Sequence, residues 1–358
     1  MQKTDVKKQY VMSVIISFLC TLVVVLGAFR LFSGGRRPDA SMRNFSEAGI
    51  TPPYSEYQTI ALKHEAAQDV LLKEFRIPQD LSISSPNAVL MRAADGSVLF
   101  EKSSDARIYP ASMTKIMTAV VALENLSDLG ESIILHENIF PALYQANASI
   151  AGFMEGEYVN AIDLLYGLML PSGAECAIGL ARHAAGDERA FVDLMNEKAY
   201  ELGMTDTHFT NTTGLHDADH YSTARDIGVL LQYAIGNDTF YEIFTSVRHT
   251  TPPTNKHEAG VTCYSTLFAN ISSAGFEGGS ILGGKTGYTE NAGQCLASLA
   301  EKCGERFILI TCGARPGSTE YGMPGGDKPH EATHYESISQ NMHIRDAFTV
   351  YDSITEVE

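Results

Sequence analysis

The chain has 358 residues, 44% of them hydrophobic and 19% charged, which is enough for one substantial globular domain with appendages and too apolar for a disordered chain. A formal net charge of -17, with no long run of Lys or Arg, argues against nucleic acid as a partner, because phosphate binding needs a basic patch. The same acidity gives no long-range attraction to anionic polymers, so a substrate of that kind has to be recognised locally, in a cleft.

Residues 11–29 (VMSVIISFLCTLVVVLGAF) carry no charge and match the length needed to span a hydrocarbon core of about 30 Å. The expectation is a retained single-pass membrane helix after a short tail over 1–10. A cleavable signal peptide would have a shorter apolar core and small residues at its cleavage site, and Leu26 before Gly27 and Ala28 fits that poorly. Lys3, Lys7 and Lys8 on one side and Arg30, Arg36 and Arg37 on the other leave the charge rule for orientation undecided. Cys20 lies in this span, and the five cysteines beyond it are an odd number that one chain cannot pair completely.

Residues 33–53, rich in Gly, Pro, Arg and Ser, predict a flexible tether. Residues 57–75 place Ile60, Ala61, Ala67, Val70, Leu71 and Phe75 among charged neighbours, an amphipathic helix pattern. Together, residues 30–84 form the connection to a domain expected over 85–350, with a tail over 351–358. NAVLMRA and SVLFEKS flank Asp95 and Gly96, which predicts two strands joined by a two-residue turn. Pro110 then suits the first turn of a helix that runs through Met117 to Leu123 as an almost wholly apolar segment, and so belongs in the interior.

Residues 126–248 read as mainly helical, with turns at 211–214 and near 237–238. Strand signals return before Lys285 and over 306–314. Strands, then helices, then strands predict a sheet closed by distant segments with a helical region inserted between them. If 294–300 and 306–313 form a hairpin turning at Cys303 and Gly304, Cys295 lies directly across from Cys312. That spacing permits a disulfide, while the plainer reading, preferred here, is two small buried side chains.

Three segments carry chemistry. In Pro110-Ala111-Ser112-Met113-Thr114-Lys115, Ser112 and Lys115 are three apart, on one face of a helix, so an amine can take the hydroxyl proton as Ser attacks a carbonyl. A capping Ser at an ordinary helix start is the plain alternative. Against it, Lys115 sits in an otherwise apolar helix, where burial costs stability and lowers the amine's pKa toward that of a usable base. Ser172 follows Pro171 at the end of an apolar helix over 162–170, and opens another over 175–185. It reads equally as an N-cap with Glu175 closing a capping box, or as a hydroxyl in a cleft that relays a proton. Lys285, Thr286 and Gly287 lie in GGSILGGKTGYTENAGQ, where glycines weaken a strand but let a substrate backbone approach its edge. A simple glycine-rich loop is the alternative there.

Those three segments, with Asn211-Thr212-Thr213-Gly214-Leu215, His220-Tyr221-Ser222-Thr223-Ala224-Arg225-Asp226 and Tyr288-Thr289, resemble the serine-type D-alanyl-D-alanine carboxypeptidases, the low-molecular-mass penicillin-binding proteins of peptidase family S11. The similarity runs over residues 85–314. It implies an α/β fold of the serine β-lactamase and penicillin-binding-protein transpeptidase type, an antiparallel sheet with a helical subdomain. It also implies removal of the terminal D-Ala from peptidoglycan pentapeptide stems through an acyl-enzyme on Ser112, with β-lactams as inhibitors. Lys115 becomes the general base and Ser172 the relay to the leaving amine. Lys285 and Thr286, with Gly287 and Tyr288 on the same strand, become the substrate-binding edge, and the N–H groups of Ser112 and Tyr288 an oxyanion hole. No metal or organic cofactor is implied. An extracellular substrate places the domain outside the cell membrane.

Ala174 departs from the pattern, because the family's second motif usually ends in Asn. Glu175 or a water is one compensation; a membrane-tethered, poorly active paralogue that binds penicillin or wall peptides is the alternative outcome. The family's carboxylate-binding Arg has only Arg315 as a candidate, and the C-terminal β-rich domain of many relatives is missing from the pattern. A class A β-lactamase would also need a Glu-Xaa-Xaa-Leu-Asn segment, and no Leu-Asn dipeptide occurs. His330-Glu331-Ala332-Thr333-His334 matches the zinc-protease pattern, but its Gly/Pro-rich, polar flanks do not suit the buried helix that pattern requires.

Overall fold

The computed structural model describes residues 73–78, 80–315 and 341–357. The expected membrane span, the tether, the helix over 57–75 up to residue 72 and the His330–His334 motif lie outside the described residues. No described helix is long and apolar enough to cross a membrane.

Six antiparallel strands form the main sheet: β1 (Asn87–Arg92), β2 (Val98–Lys102), β3 (Gly275–Phe276), β4 (Gly279–Thr289), β5 (Gly293–Lys302) and β6 (Glu305–Ala314). Their spatial order is β3-β4-β5-β6-β1-β2, so the first strands of the domain pair with the last across the helical insertion. The sheet is buried on both faces. Val89, Met91, Ile308 and Ile310 face one core, while Ala88, Leu90, Phe307 and Leu309 face the other. Two-sided burial explains why β6 reads as a continuous apolar run and not as an alternating one. β3 covers only Gly275 and Phe276 against Ser280 and Gly279, so from Ile281 onward β4 has no further strand on its outer side among the described residues.

On the first face lie α1 (Thr114–Asn125), α2 (Ala161–Met169), α3 (Ala174–Ala185), α4 (Glu188–Glu201), α5 (Ala224–Ala234) and α6 (Asp238–Thr245). Helix α1 is their hub, touching α2, α3, α4 and α5, and every residue from Thr114 to Ala122 is buried. Asp187, Thr223 and Asn237 cap α4, α5 and α6 through their side chains. The second face is covered by α7 (Met342–Asp352), whose C-terminal carbonyls at Tyr351 and Asp352 accept from Lys302 Nζ at 3.1 and 2.7 Å.

Three expectations change. The turn between β1 and β2 is longer than two residues: Arg92 N–H donates to the Ser97 carbonyl across Ala93, Ala94, Asp95 and Gly96, and Asp95 accepts from Ser97 N–H. The compact body exceeds 85–350 at both ends. Phe75, Ile77 and Ile83 lie in the second core with Tyr351 and Ile354, and Phe75–Arg76, expected to end a helix, pairs as a strand with Thr355–Glu356. The β5–β6 hairpin does turn at Cys303 and Gly304, yet a bulge sets Cys295 opposite the Cys312–Gly313 step instead of directly across from Cys312. Both thiols are buried and unlinked.

The N-terminal extension is fixed by Asp346 on α7. Its carboxylate accepts from the N–H groups of Ser84 and Ser85 at 2.9 and 2.7 Å and from Ser85 Oγ at 2.6 Å. Asp346→Ala would orphan two buried donors and one half-buried one, and is expected to lower stability by about 2–4 kcal/mol, read as a lower urea midpoint at unchanged slope.

Candidate active site

Ser112 sits in a single 3-10 turn, Ala111–Met113, that leads directly into α1. The turn is strained, since Ala111 has φ +48°. Two glycines make room for it. A Cβ on Gly214, itself at φ +79°, would lie 1.9 Å from the Ala111 carbonyl oxygen, and a Cβ on Gly287 would lie 3.0 Å from Ser112 N. The Asn211–Leu215 loop and the Lys285–Gly287 strand therefore close on the Ser112 turn from two sides.

Lys115, one turn into α1, is buried. Its Nζ donates to Ser112 Oγ at 3.2 Å and to the Thr213 carbonyl at 2.5 Å. Burial pushes its pKa down to about 8, opposed by the negative charge of the Glu175 carboxylate. An amine held there is neutral in a usable fraction near neutral pH and already touches the hydroxyl it would deprotonate.

The Thr213 carbonyl is presented by a tightly specified loop. Asn211 Oδ1 accepts from Thr213 N–H, Thr213 Oγ1 and Gly214 N–H. Glu188 accepts from Thr212 N–H and Oγ1, and Thr118 Oγ1 donates to the Thr212 carbonyl at 2.7 Å. His220 Nδ1 accepts from Thr210 N–H at 3.0 Å, which leaves Nε2 as the donor to Thr114 Oγ1 at 2.8 Å. Burial lowers the His220 pKa to about 4, so this link stays neutral. Neither the Thr213 carbonyl nor His220 has a role that spacing alone suggests; an Asn followed three residues later by Gly is the only local signal.

Ser172 is not the N-cap of α3. That position belongs to Gly173, which makes no side-chain cap, and Ser172 has φ +70°. The capping box does not form either, because Glu175 Oε1 accepts instead from the N–H groups of Ala151 and Gly152 at 2.7 and 3.2 Å. The Ser172 hydroxyl and Glu175 Oε2 are buried with no hydrogen-bond partner among the described residues. Burial raises the Glu175 pKa to about 7, with the backbone donors opposing. Glu175 thus acts on Lys115 by charge, without a hydrogen bond to it, and Ala174 offers no side-chain acceptor, so the Thr213 carbonyl and Ser112 Oγ are the partners of Lys115 Nζ.

Lys285 is fully buried on β4, and its Nζ donates to the Thr286 carbonyl at 3.0 Å. Burial first, and then the like charge of Lys115, hold its pKa well below the usual lysine range. Thr286 is half-buried beside it, and Tyr288, 62% exposed, marks the outer end of the strand. Arg315 donates to the Glu290 carbonyl at 3.2 Å, in the turn after this strand. No group of His, Cys, Asp and Glu among the described residues is arranged to hold a metal ion. A cleft of about 870 Å³ between Ile133–Ile139 and the C-terminal half of α3 reaches Glu188 but contains none of Ser112, Lys115, Ser172, Lys285 and Thr286.

The family model described as D-alanyl-D-alanine carboxypeptidase, peptidase S11, matches residues 74–316. The D-alanyl-D-alanine carboxypeptidase DacF of Bacillus subtilis is 34% identical over 239 residues, 66% of this chain and 59% of that one. The chain thus spans less than two thirds of that relative's length. A D-alanyl-D-alanine carboxypeptidase of Streptomyces sp. strain K15 is 30% identical over 235 residues, 63% of this chain and 80% of that one. The crystal structure of the Streptomyces K15 DD-transpeptidase superposes with a TM-score of 0.63 at 26% identity, covering 76% of this chain and 97% of that one. The D-alanyl-D-alanine carboxypeptidase of Mycobacterium tuberculosis H37Rv does so with a TM-score of 0.60 at 27% identity, over 77% and 91%.

The packing of Gly214 yields a direct test. Gly214→Ala adds a backbone clash to a positive φ and is expected to cost more than about 2 kcal/mol in urea unfolding. Gly203, at φ +74° just past the end of α4 and with open space around it, serves as the control, and Gly203→Ala should cost only about 1 kcal/mol.

Proposed function

The chain belongs to the D-alanyl-D-alanine carboxypeptidase family, peptidase S11, and from that membership we propose that it removes the terminal D-Ala from peptidoglycan stem peptides. The observation that carries the reading is the 3.2 Å contact between a buried, pKa-depressed Lys115 and Ser112 Oγ. A buried ammonium costs stability and serves no packing purpose that an apolar side chain would not serve better, so chemistry is the reason to keep it.

In the proposed reaction, Ser112 Oγ attacks the carbonyl carbon of the penultimate D-Ala while Lys115 Nζ takes its proton. The oxyanion of the tetrahedral intermediate is received by the N–H groups of Ser112 and Tyr288. On collapse the C–N bond breaks, and the leaving amine of D-Ala takes the proton from Lys115 by way of the Ser172 hydroxyl. Water then attacks the ester on Ser112, giving up its proton to the same base, and frees the shortened peptide. Lys285 and Thr286 bind the terminal carboxylate, whose negative charge supplies the counter-ion that burial withholds from Lys285. The open outer side of β4 receives the peptide backbone. A β-lactam acylates Ser112 by the same attack.

The proposal extends to location. The uncharged run over 11–29 acts as a single-pass anchor in the cell membrane, with the catalytic domain on the outer side, where its substrate lies.

D-Ala release from a peptide ending in D-Ala-D-Ala tests the reaction, with Ser112→Ala as the control. Release that is lost in the variant, together with loss of covalent penicillin labelling, is the expected result; release that survives in Ser112→Ala would overturn the assignment of the nucleophile.

The pH profile tests the base. A group that must be neutral becomes available as pH rises through its pKa, so kcat/KM should climb about tenfold per unit below pH 8 and level off above it. The Glu175 carboxylate raises the Lys115 pKa, so Glu175→Gln should move the ascending limb to lower pH. A limb that stays in place would remove Glu175 from the electrostatics of the base.

A further inference from the structure

Thr266 belongs to none of the segments that carry the family pattern, yet it joins two of them. Its Oγ1 lies 2.7 Å from Thr286 Oγ1, and its N–H donates to the Leu170 carbonyl, two residues before Ser172, at 3.0 Å. The Thr266 carbonyl accepts from Asn270 Nδ2 at 2.7 Å, and Asn270 Oδ1 accepts from Asn341 Nδ2, at the start of α7, at 3.1 Å. The segment also packs hard against β4: a Cβ on Gly284, next to Lys285, would lie 2.6 Å from Leu267 Cδ2. Thr266 is therefore anchored through its backbone on both sides, and the one group it leaves to turn is the hydroxyl that faces Thr286.

We propose that Thr266 is a positioning residue for the carboxylate subsite, setting the direction of the Thr286 hydroxyl and so the preference for substrates with a free C-terminal carboxylate. This rests on the proposed role of Thr286. The argument is one of proton counting. Only one proton can lie between two hydroxyl oxygens, so either Thr286 donates to Thr266 or Thr266 donates to Thr286. A carboxylate accepts and cannot donate, so it requires the Thr286 proton. Thr266 must then be the donor of the pair, and the order runs from Thr266 to Thr286 to carboxylate. In that order the first bond polarises the second, which is charge-assisted. An ester terminus offers only a weak, uncharged acceptor and gains little from the same alignment. Without the Thr266 hydroxyl, Thr286 loses its donor and the rotational restraint that aims its proton.

The test uses benzylpenicillin and its methyl ester, which differ only at the carboxylate, with the full chain, Thr266→Val and Thr266→Ser. The second-order rate of Ser112 acylation is read by competition with a fluorescent penicillin. In Thr266→Val the rate for the free acid should fall on the order of five- to tenfold, the rate for the ester should change less than twofold, and Thr266→Ser should stay close to the parent chain on both. An equal loss on acid and ester would mean that Thr266 only supports the fold, and would overturn the proposal, as would an unchanged acid-to-ester ratio. Should Thr266→Val fail to fold, Thr266→Ala and Thr266→Ser carry the same comparison. D-Ala release measured in parallel separates the two levels. A parent chain that is acylated with the expected ratio but releases no D-Ala would overturn the carboxypeptidase reading and leave the role of Thr266 standing, whereas a parent chain that neither penicillin acylates would overturn both.

Discussion

A lysine in the middle of the molecule sets the terms for what surrounds it. Lys115 lies on a helix buried along its first nine residues, and an ammonium there loses its hydration without gaining a carboxylate in contact. What it has is a hydroxyl, a backbone carbonyl and the charge of Glu175, which makes no hydrogen bond to it. The carbonyl is the demanding partner. To bring Thr213 to Nζ, the Asn211–Leu215 loop must fold on its own Asx turn, accept a clamp from Thr118, and press Gly214 against the Ala111 carbonyl. The strained turn that exposes Ser112 and the loop that satisfies Lys115 are two sides of one packing contact.

The sheet contributes position more than chemistry. Because the strands before the insertion pair with those after it, β4 runs alongside the start of α1 although Ser112 and Lys285 are distant in sequence. Gly287 permits an approach that a side chain would crowd, since a Cβ there would lie 3.0 Å from Ser112 N. Burial of both faces fixes the register: sliding β6 by one residue would exchange its two sets of core side chains between the α5 and α7 layers. The active-site edge is thus held by a core on each side, and the three motif segments meet with little freedom to drift.

Residues whose type packing does not readily explain were legible in the sequence, and the structure brings them together. Ser112, Lys115, Lys285 and Gly287 stand out because a lysine in an apolar helix and glycines in a strand are costly choices that packing alone does not explain. The outer limits of the domain were not legible, since Phe75 and Ile354 reach the core by pairing two short strands from opposite ends of the chain, which local pattern cannot reveal. Ser172 was ambiguous for a physical reason: Ser three residues before Glu is a good capping box, and only the positive φ at Ser172 and the rival donors at Ala151 and Gly152 break it. The Thr213 carbonyl that Lys115 meets was hidden altogether, because it is a main-chain group, and every residue has one. Thr266 was hidden because its importance lies in a contact across twenty residues and not in its neighbours.

The two buried lysines bear on how the site turns on. The charge of Lys115 lowers the affinity of Lys285 for a proton, so two charged amines are disfavoured in this buried space. Before substrate binds, Lys115 has the better claim to the proton, having the Glu175 charge, the Ser112 hydroxyl and the Thr213 carbonyl, while Lys285 has one carbonyl. On the proposed roles, the arriving carboxylate reverses that order. It gives Lys285 the counter-charge it lacks, and a charged Lys285 in turn favours the neutral form of Lys115. Linkage requires the converse: a neutral Lys115 favours a charged Lys285 and hence carboxylate binding. The substrate's own terminus would then help to prepare the base that attacks it, and a peptide without that carboxylate would meet a Lys115 neutral only in the smaller fraction that its pKa of about 8 allows.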